Sequence, residues 1–219
     1  MSRTRVLITG SSGFIGGRIA AGLSRRGYLV RGQYRRPNPP PPLKKLEAEG
    51  AEIVRADLTD PASVGSLVKG CELIVHAAAS VLDYGRYEEF EKINYQATCD
   101  LLEAAEESGC RKLLFISSIS VHGFGPHVNS EETGPYYPPV SHYQRTKKHA
   151  EDEVMYRNGR IIRTTAIRPG LVYGPGDTTT LKPAFDQLRS GFFPKIGGFS
   201  SLTCPIYIDI LVAAAVLAL

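Results

Sequence analysis

Tyr143 and Lys147 stand four residues apart in the run Tyr143-Gln144-Arg145-Thr146-Lys147. On a helix that spacing puts both side chains on one face, one turn apart, so an ammonium can sit beside a phenol. Such a pair suits proton transfer, with the tyrosine hydroxyl giving or taking the proton and the cation stabilising the phenolate. An ordinary tyrosine has a pKa of about 10, and lowering it by roughly three units needs about 4 kcal/mol of preferential phenolate stabilisation. Lys147 is one expected source. Alone, the pair also fits a partly buried tyrosine beside a solvated lysine. A second signal accompanies it: Thr9-Gly10-Ser11-Ser12-Gly13-Phe14-Ile15-Gly16 follows the apolar run Val6-Leu7-Ile8 and opens an apolar-periodic stretch. A strand that feeds a glycine-rich turn and then a helix is where a dinucleotide pyrophosphate sits. Glycine allows the tight turn and close approach, and the new helix offers unpaired N–H groups and a positive dipole end. Gly10, Ser12, Gly13, Phe14, Ile15 and Gly16 are therefore the expected phosphate-side contacts.

These residues must be positioned by alternating strands and helices. Strands are expected at 5–9, 28–34, 52–55, 73–76, 113–117 and 164–168, and helices at 13–26, 62–68, 87–108 and 141–156. The rhythm predicts an α/β fold with a doubly wound parallel sheet covered by helices on both faces. The tract Pro37-Asn38-Pro39-Pro40-Pro41-Pro42 is expected to be a loop beside the cofactor site, because proline cannot occupy a helix interior or a central strand. Asn94 falls inside a helical stretch although asparagine is a poor helix former, which suggests a local polar task. His76 ends a strand and reads as a packed or hydrogen-bonding histidine rather than a general base.

Composition narrows the classes. With 219 residues and 42% hydrophobic content the chain can bury one sizeable core. The formal charge of +4 is mild and its basic residues are scattered, so nucleic acid is not an expected partner. Cys71, Cys99, Cys110 and Cys204 form no CxxC pair or metal-like cluster, which points to reduced cysteines, no metal and a cytoplasmic location. Met1-Ser2-Arg3 passes directly into a strand without a long apolar segment, so neither a signal peptide nor a membrane anchor is expected.

The glycine turn, Asp57-Leu58, His76-Ala77-Ala78-Ala79, Asn94, Ser117-Ser118, Tyr143 with Lys147, and Arg168-Pro169-Gly170 follow one another in a single order. That order resembles the extended short-chain dehydrogenases/reductases, the NAD-dependent epimerase/dehydratase family, over practically the whole chain. Later stretches at 171–177, 193–198 and 207–209 look similar too. The resemblance implies a Rossmann-type cofactor domain over 1–170 with the catalytic pair, and over 171–219 the start of a small, apparently truncated substrate lobe. It implies cofactor contacts at Asp57 and Leu58 around the adenine, at Ala77, Ala78, Ala79 and Pro169, and at Tyr143 and Lys147. Within Ser117-Ser118-Ile119-Ser120-Val121-His122-Gly123 it selects Ser118 as the third catalytic group, with Ser117 and Ser120 as competitors. Asn94 becomes a support of the site, and the long helices 89–108 and 141–156 resemble those that pair subunits, which implies a homodimer. The family often has tyrosine where this chain has His122.

Cofactor choice depends on the end of the second strand. An acidic residue there holds the ribose hydroxyls of NAD, whereas this chain has Gln33-Tyr34-Arg35-Arg36, and two guanidiniums suit a 2′-phosphate. NADP is expected over NAD. The leading reading is a reductase or dehydrogenase that interconverts a secondary alcohol and a carbonyl on a small or sterol-like substrate. A nucleotide-sugar epimerase and a non-catalytic dinucleotide-binding protein are the alternatives. Dehydration is disfavoured because Ser118 precedes Ile119-Ser120, where the family's dehydratases carry an acidic pair.

Overall fold

The first strand, β1 (Arg5–Thr9), divides the core by alternation. Val6 and Ile8 pack on one side with α1 (Phe14–Ser24) and α2 (Pro41–Ala48), while Leu7 packs on the other with α3 (Pro61–Val68). In the computed structural model, which describes residues 4–82, 84–178, 181–191 and 204–219, β1 is central in a six-stranded parallel sheet. Its neighbours are β2 (Leu29–Tyr34) and β4 (Leu73–His76), flanked in turn by β3 (Glu52–Arg55), β5 (Lys112–Ile116) and β6 (Arg163–Ile167). The order β3-β2-β1-β4-β5-β6 reverses direction between β1 and β4, so the carboxyl ends of those two strands open a crevice. This is the doubly wound parallel fold that the alternation predicts, with strand limits at or within one residue of those expected.

The run 87–107 is α4 (Tyr87–Phe90), a π-helical segment Glu91–Gln96 and α5 (Ala97–Glu107). Wider π-helical turns tend to occur at functional positions, and this one carries Asn94. The catalytic pair expected from the sequence lies on α6 (His142–Tyr156). Ser141 caps that helix by accepting from the Gln144 amide, and Gln144 reaches back to accept from the Val140 amide at 2.8 Å. This reciprocal capping box fixes where the helix starts, and hence which turn holds Tyr143.

The proline tract is not all loop. Pro40 caps α2, and Pro41 and Pro42 are its first residues. The first turn of a helix has no use for the N–H groups that proline lacks, and the fixed φ of proline suits it. Leu43 and Leu46 then close the core beneath.

After β6 a second, two-stranded parallel sheet pairs β7 (Leu171–Tyr173) with β8 (Pro205–Tyr207), with α7 (Leu181–Arg189) between them and α8 (Ile208–Leu217) following. The stretch 193–198 lies outside the described residues. Ile208, Leu211, Val212 and Ala215 of α8 are buried in the same cluster as Ile19 and Leu23 of α1. The Leu211 side chain is fully buried, so Leu211→Ala is expected to cost about 2–4 kcal/mol. Urea unfolding followed by circular dichroism should show that loss within one cooperative transition; a separate early transition would mean that α8 is not part of the main core.

Candidate cofactor cleft and proton-transfer site

The crevice between β1 and β4 holds a cleft of about 470 Å³ whose walls include Gly10, Ser12, Gly13, Arg35, Arg36, Asp57, Leu58, Ala77, Ala78 and Ala79. Ten of the expected cofactor contacts thus share one cavity. The glycines divide the work. Gly10 has φ +65°, and a Cβ there would come within 2.8 Å of the Ala78 Cα, so the turn and the post-β4 chain need its bareness. Gly16 is buried against the Gly10 carbonyl and serves the turn rather than the cleft. Gly13, by contrast, is exposed on the cleft wall and N-caps α1, where no side chain takes the free amides and no acidic residue stands in the first turn. That leaves the helix dipole and amides of α1 open to an anion. Phe14 and Ile15 are half-buried behind the turn, and Pro169 is buried, its carbonyl accepting from the Ile119 amide at 3.0 Å.

Gln33, which carries no recognisable motif, holds the turn from outside. Its Oε1 accepts from the Gly10 amide at 2.8 Å, its Nε2 donates to the Ala56 carbonyl at 2.7 Å, and its own carbonyl accepts from the Ser11 hydroxyl at 2.7 Å. At the far wall of the cleft, Asp57 accepts from the Thr59 amide and hydroxyl. The Thr59 amide bond, with the Arg35 and Lys92 charges nearby, holds the Asp57 carboxyl below the ordinary value against the opposing effect of burial.

Behind the cleft runs a buried chain of hydrogen bonds. Thr9 and His76 are register partners on β1 and β4, and the Thr9 hydroxyl lies 2.7 Å from His76 Nδ1. His76 Nε2 lies 2.9 Å from the Thr98 hydroxyl, which donates to the Asn94 carbonyl. Since the Thr98 proton is already engaged, Thr98 accepts and His76 carries its proton on Nε2. Nδ1 then accepts from Thr9, whose oxygen in turn accepts from the Ala77 and Ala78 amides at 3.2 Å each. Burial, helped by the Lys147 charge, pushes the His76 pKa down to about 3, so the imidazole is neutral. Asn94 continues the chain. Its amide pairs with both backbone groups of Ser80 and donates to the Thr146 hydroxyl at 3.1 Å. Thr146 donates to the α6 backbone at His142.

Ser118 ends its strand as the cap of a short 3₁₀ turn, Ile119–His122. Its oxygen accepts from the Ser120 amide and hydroxyl, leaving its own proton to donate, and it lies near enough to Tyr143 to oppose the rise in that phenol's pKa. Ser117 is buried without a partner among the described residues and Ser120 points at Ser118, so Ser118 is the serine that faces Tyr143. Lys147 is buried; its ammonium donates to the Ile116 carbonyl at 2.7 Å and lies 3.9 Å from the Phe115 ring centroid.

In the chain by itself burial raises the Tyr143 pKa, with Ser118 opposing it. Desolvation likewise pushes the Lys147 pKa down to about 7 against the supporting charge of Glu151.

With this geometry in hand, known proteins can be compared. The pattern of the NAD dependent epimerase/dehydratase family matches residues 6–195, and the chain belongs to that family, among the extended short-chain dehydrogenases/reductases. It is 30% identical over 210 residues to a 2-alkyl-3-oxoalkanoate reductase of Stenotrophomonas maltophilia, covering 94% of this chain and 62% of that protein. It is 33% identical over 208 residues to a 3 beta-hydroxysteroid dehydrogenase/Delta 5-->4-isomerase of Mycobacterium tuberculosis, covering 90% of this chain and 55% of that one. The chain thus spans little more than half to three-fifths of these relatives. Among solved structures, MoeE5 in complex with UDP-glucuronic acid and NAD has a TM-score of 0.83 at 28% identity, covering 98% of this chain and 71% of that chain. A UDP-glucose 4-epimerase of Thermotoga maritima reaches a TM-score of 0.85 at 22% identity, covering 99% and 73%, and shares the fold. No helix among the described residues is long and apolar enough to cross a membrane.

The depressed Lys147 pKa predicts a pH dependence. The unfolded chain holds that proton up to about pH 10.4, whereas the folded chain releases it near pH 7. Between those values the unfolded state binds more protons, so this residue makes stability rise with pH. Urea unfolding at about pH 7 and about pH 9 should show wild type gaining stability relative to Lys147→Met; an unchanged difference would contradict the depressed pKa.

Proposed function

We propose that the chain is the cofactor-binding and proton-transferring part of an NADP-preferring oxidoreductase that interconverts a secondary alcohol and a carbonyl. The observation that carries this reading is a cleft walled by an uncapped glycine turn and tied through Ser80, Asn94 and Thr146 to the helix that bears Tyr143. The glycine cradle, the open α1 amides and the Arg35/Arg36 pair fit a dinucleotide phosphate at one end. A bound nicotinamide supplies the hydride. Tyr143 gives or takes the proton at the substrate oxygen, and Ser118 donates to that oxygen or to the phenolate. Lys147 holds the α6 side of the site to the β5 carbonyl at Ile116 and orients the ribose. Asn94 supports Tyr143 through Thr146. Residues 1–170 supply these functions, and residues 171–219 begin the part that holds a small-molecule substrate.

The arginines support NADP. Both are exposed on the cleft wall, and no carboxylate stands at the end of β2. A nucleotide-sugar epimerase, which would oxidise and re-reduce its substrate without net cofactor use, is the second reading, supported by the likeness to MoeE5 bound to NAD and a UDP-sugar. We place the protein in the cytoplasm, since Cys71, Cys99, Cys110 and Cys204 are all free thiols, and propose a homodimer, which light scattering checks.

Thermal unfolding with NADP and NAD at matched concentrations tests the cofactor assignment, since a ligand at a hundred times its Kd stabilises by about 2.7 kcal/mol. NADP should give the larger shift, and Arg36→Ala should remove about 1.5–3 kcal/mol of NADP binding while leaving NAD binding unchanged. An equal or larger shift with NAD would overturn the arginine argument. Tyr143→Phe should lower turnover by roughly 10²–10⁴ with cofactor affinity intact. A net change in nicotinamide absorbance with substrate marks a reductase, and no net change marks an epimerase.

A further inference from the structure

Arg168, at the end of β6, has five N–H donors, and each has an acceptor. Two point in a bidentate pair at Glu151 of α6. The others go to the Tyr136 hydroxyl at 2.9 Å, the Glu132 carbonyl at 2.9 Å, and His122 Nε2 at 2.8 Å. Arginine cannot accept, so His122 Nε2 carries no proton in this arrangement. The other ring nitrogen agrees: Nδ1 lies 3.2 Å from the Pro135 carbonyl, which can only accept. His122 is thus held as the neutral Nδ1–H imidazole by two independent partners. Tyr136 stacks on it at 5.0 Å, and the His122 carbonyl accepts from the Tyr137 amide at 2.7 Å.

These contacts span the site proposed above. His122 closes the turn that Ser118 opens, residues 123–140 lead from it to the α6 cap, and α6 carries Tyr143 and Glu151. We propose that His122 is a positioning residue which, while neutral, lets Arg168 clamp the 123–140 segment onto α6, and that protonation of His122 releases this clamp. A proton on Nε2 would set an N–H against the Arg168 N–H. The charged groups around the ring are Arg168 from β6, Lys148 of α6 at 4.6 Å from the Tyr136 ring centroid, and Glu151, which Arg168 already engages. Lys148 is itself paired with Asp152. His127 meets His122 edge-on, with its own ring nitrogens on the Ser130 hydroxyl and the Gly123 carbonyl. Glu132 reaches the clamp through its backbone carbonyl. Tyrosine at position 122 would lack the ring nitrogen that takes this proton, so the histidine makes the Arg168 contact sensitive to a proton.

The consequence for catalysis rests on the function proposed above, but the clamp can be tested without turnover or cofactor. Hydrogen exchange of the Glu131, Gly134 and Tyr137 amides, corrected for intrinsic rates, should be followed from about pH 8 to about pH 5. Wild type should lose protection by roughly tenfold per pH unit once His122 titrates. His122→Gln keeps an uncharged acceptor toward Arg168 and should show no such loss. Imidazole ¹⁵N shifts in wild type supply a check independent of any variant: His122 should be the Nδ1–H tautomer at about pH 8 and should lose that tautomer as the protection falls. Protection that persists to about pH 5, an equal loss in His122→Gln, or an Nε2–H tautomer would each overturn the proposal. Tyr143→Phe kinetics stand apart from these outcomes, so failure of the clamp and failure of the functional reading are separate results.

Discussion

One buried imidazole that must stay neutral underlies the site. His76 lies between Thr9 on the glycine-turn strand and Thr98 on α5, and both of its ring nitrogens are engaged inside the core. A charged ring would have a donor facing the Thr9 proton inside the core, where His76 is buried. Because Thr9 also receives the Ala77 and Ala78 amides, the same histidine fixes the floor of the cleft. Through Thr98, Asn94 and Thr146 it reaches the first turn of α6. The cradle for a phosphate and the helix that carries Tyr143 are thereby parts of one rigid unit rather than two elements that happen to be adjacent.

That rigidity has an electrostatic cost at the site itself. Burial raises Tyr143 and lowers Lys147, so each is pushed toward its uncharged form. The chain's own counterweight is Ser118, whose proton is freed to face the phenol because Ser120 supplies the hydrogen bonds that Ser118 accepts. The three serines are therefore not interchangeable: Ser120 donates to Ser118, and Ser117 is buried without a partner among the described residues.

The strands were legible because β1, β4 and β5 are continuous apolar runs, as strands buried on both faces must be. The glycine turn was legible because its spacing reflects a backbone constraint. The proline tract misled because only its first part is loop, and the rule against proline in helices does not apply to a first turn. What the sequence hid is mostly polar and long-range. Gln33 binds a glycine 23 positions away, Thr9 meets His76 over 67, and Asn94 meets Thr146 over 52. Such partners follow no local period, so only the sheet register and the packing of helices on it bring them together. The Tyr143 and Lys147 spacing was readable, but the direction of their pKa shifts depended on burial depth, which spacing alone does not convey.

The measurement that bears most directly on this account is the protonation state of His76, read from its imidazole ¹⁵N and ¹H shifts across about pH 5 to about pH 8. The account predicts a neutral ring with the proton on Nε2 throughout, in keeping with a pKa of about 3. A ring that gains a proton within that range, or carries it on Nδ1, would contradict the hydrogen-bond chain and with it the link between the cofactor turn and α6.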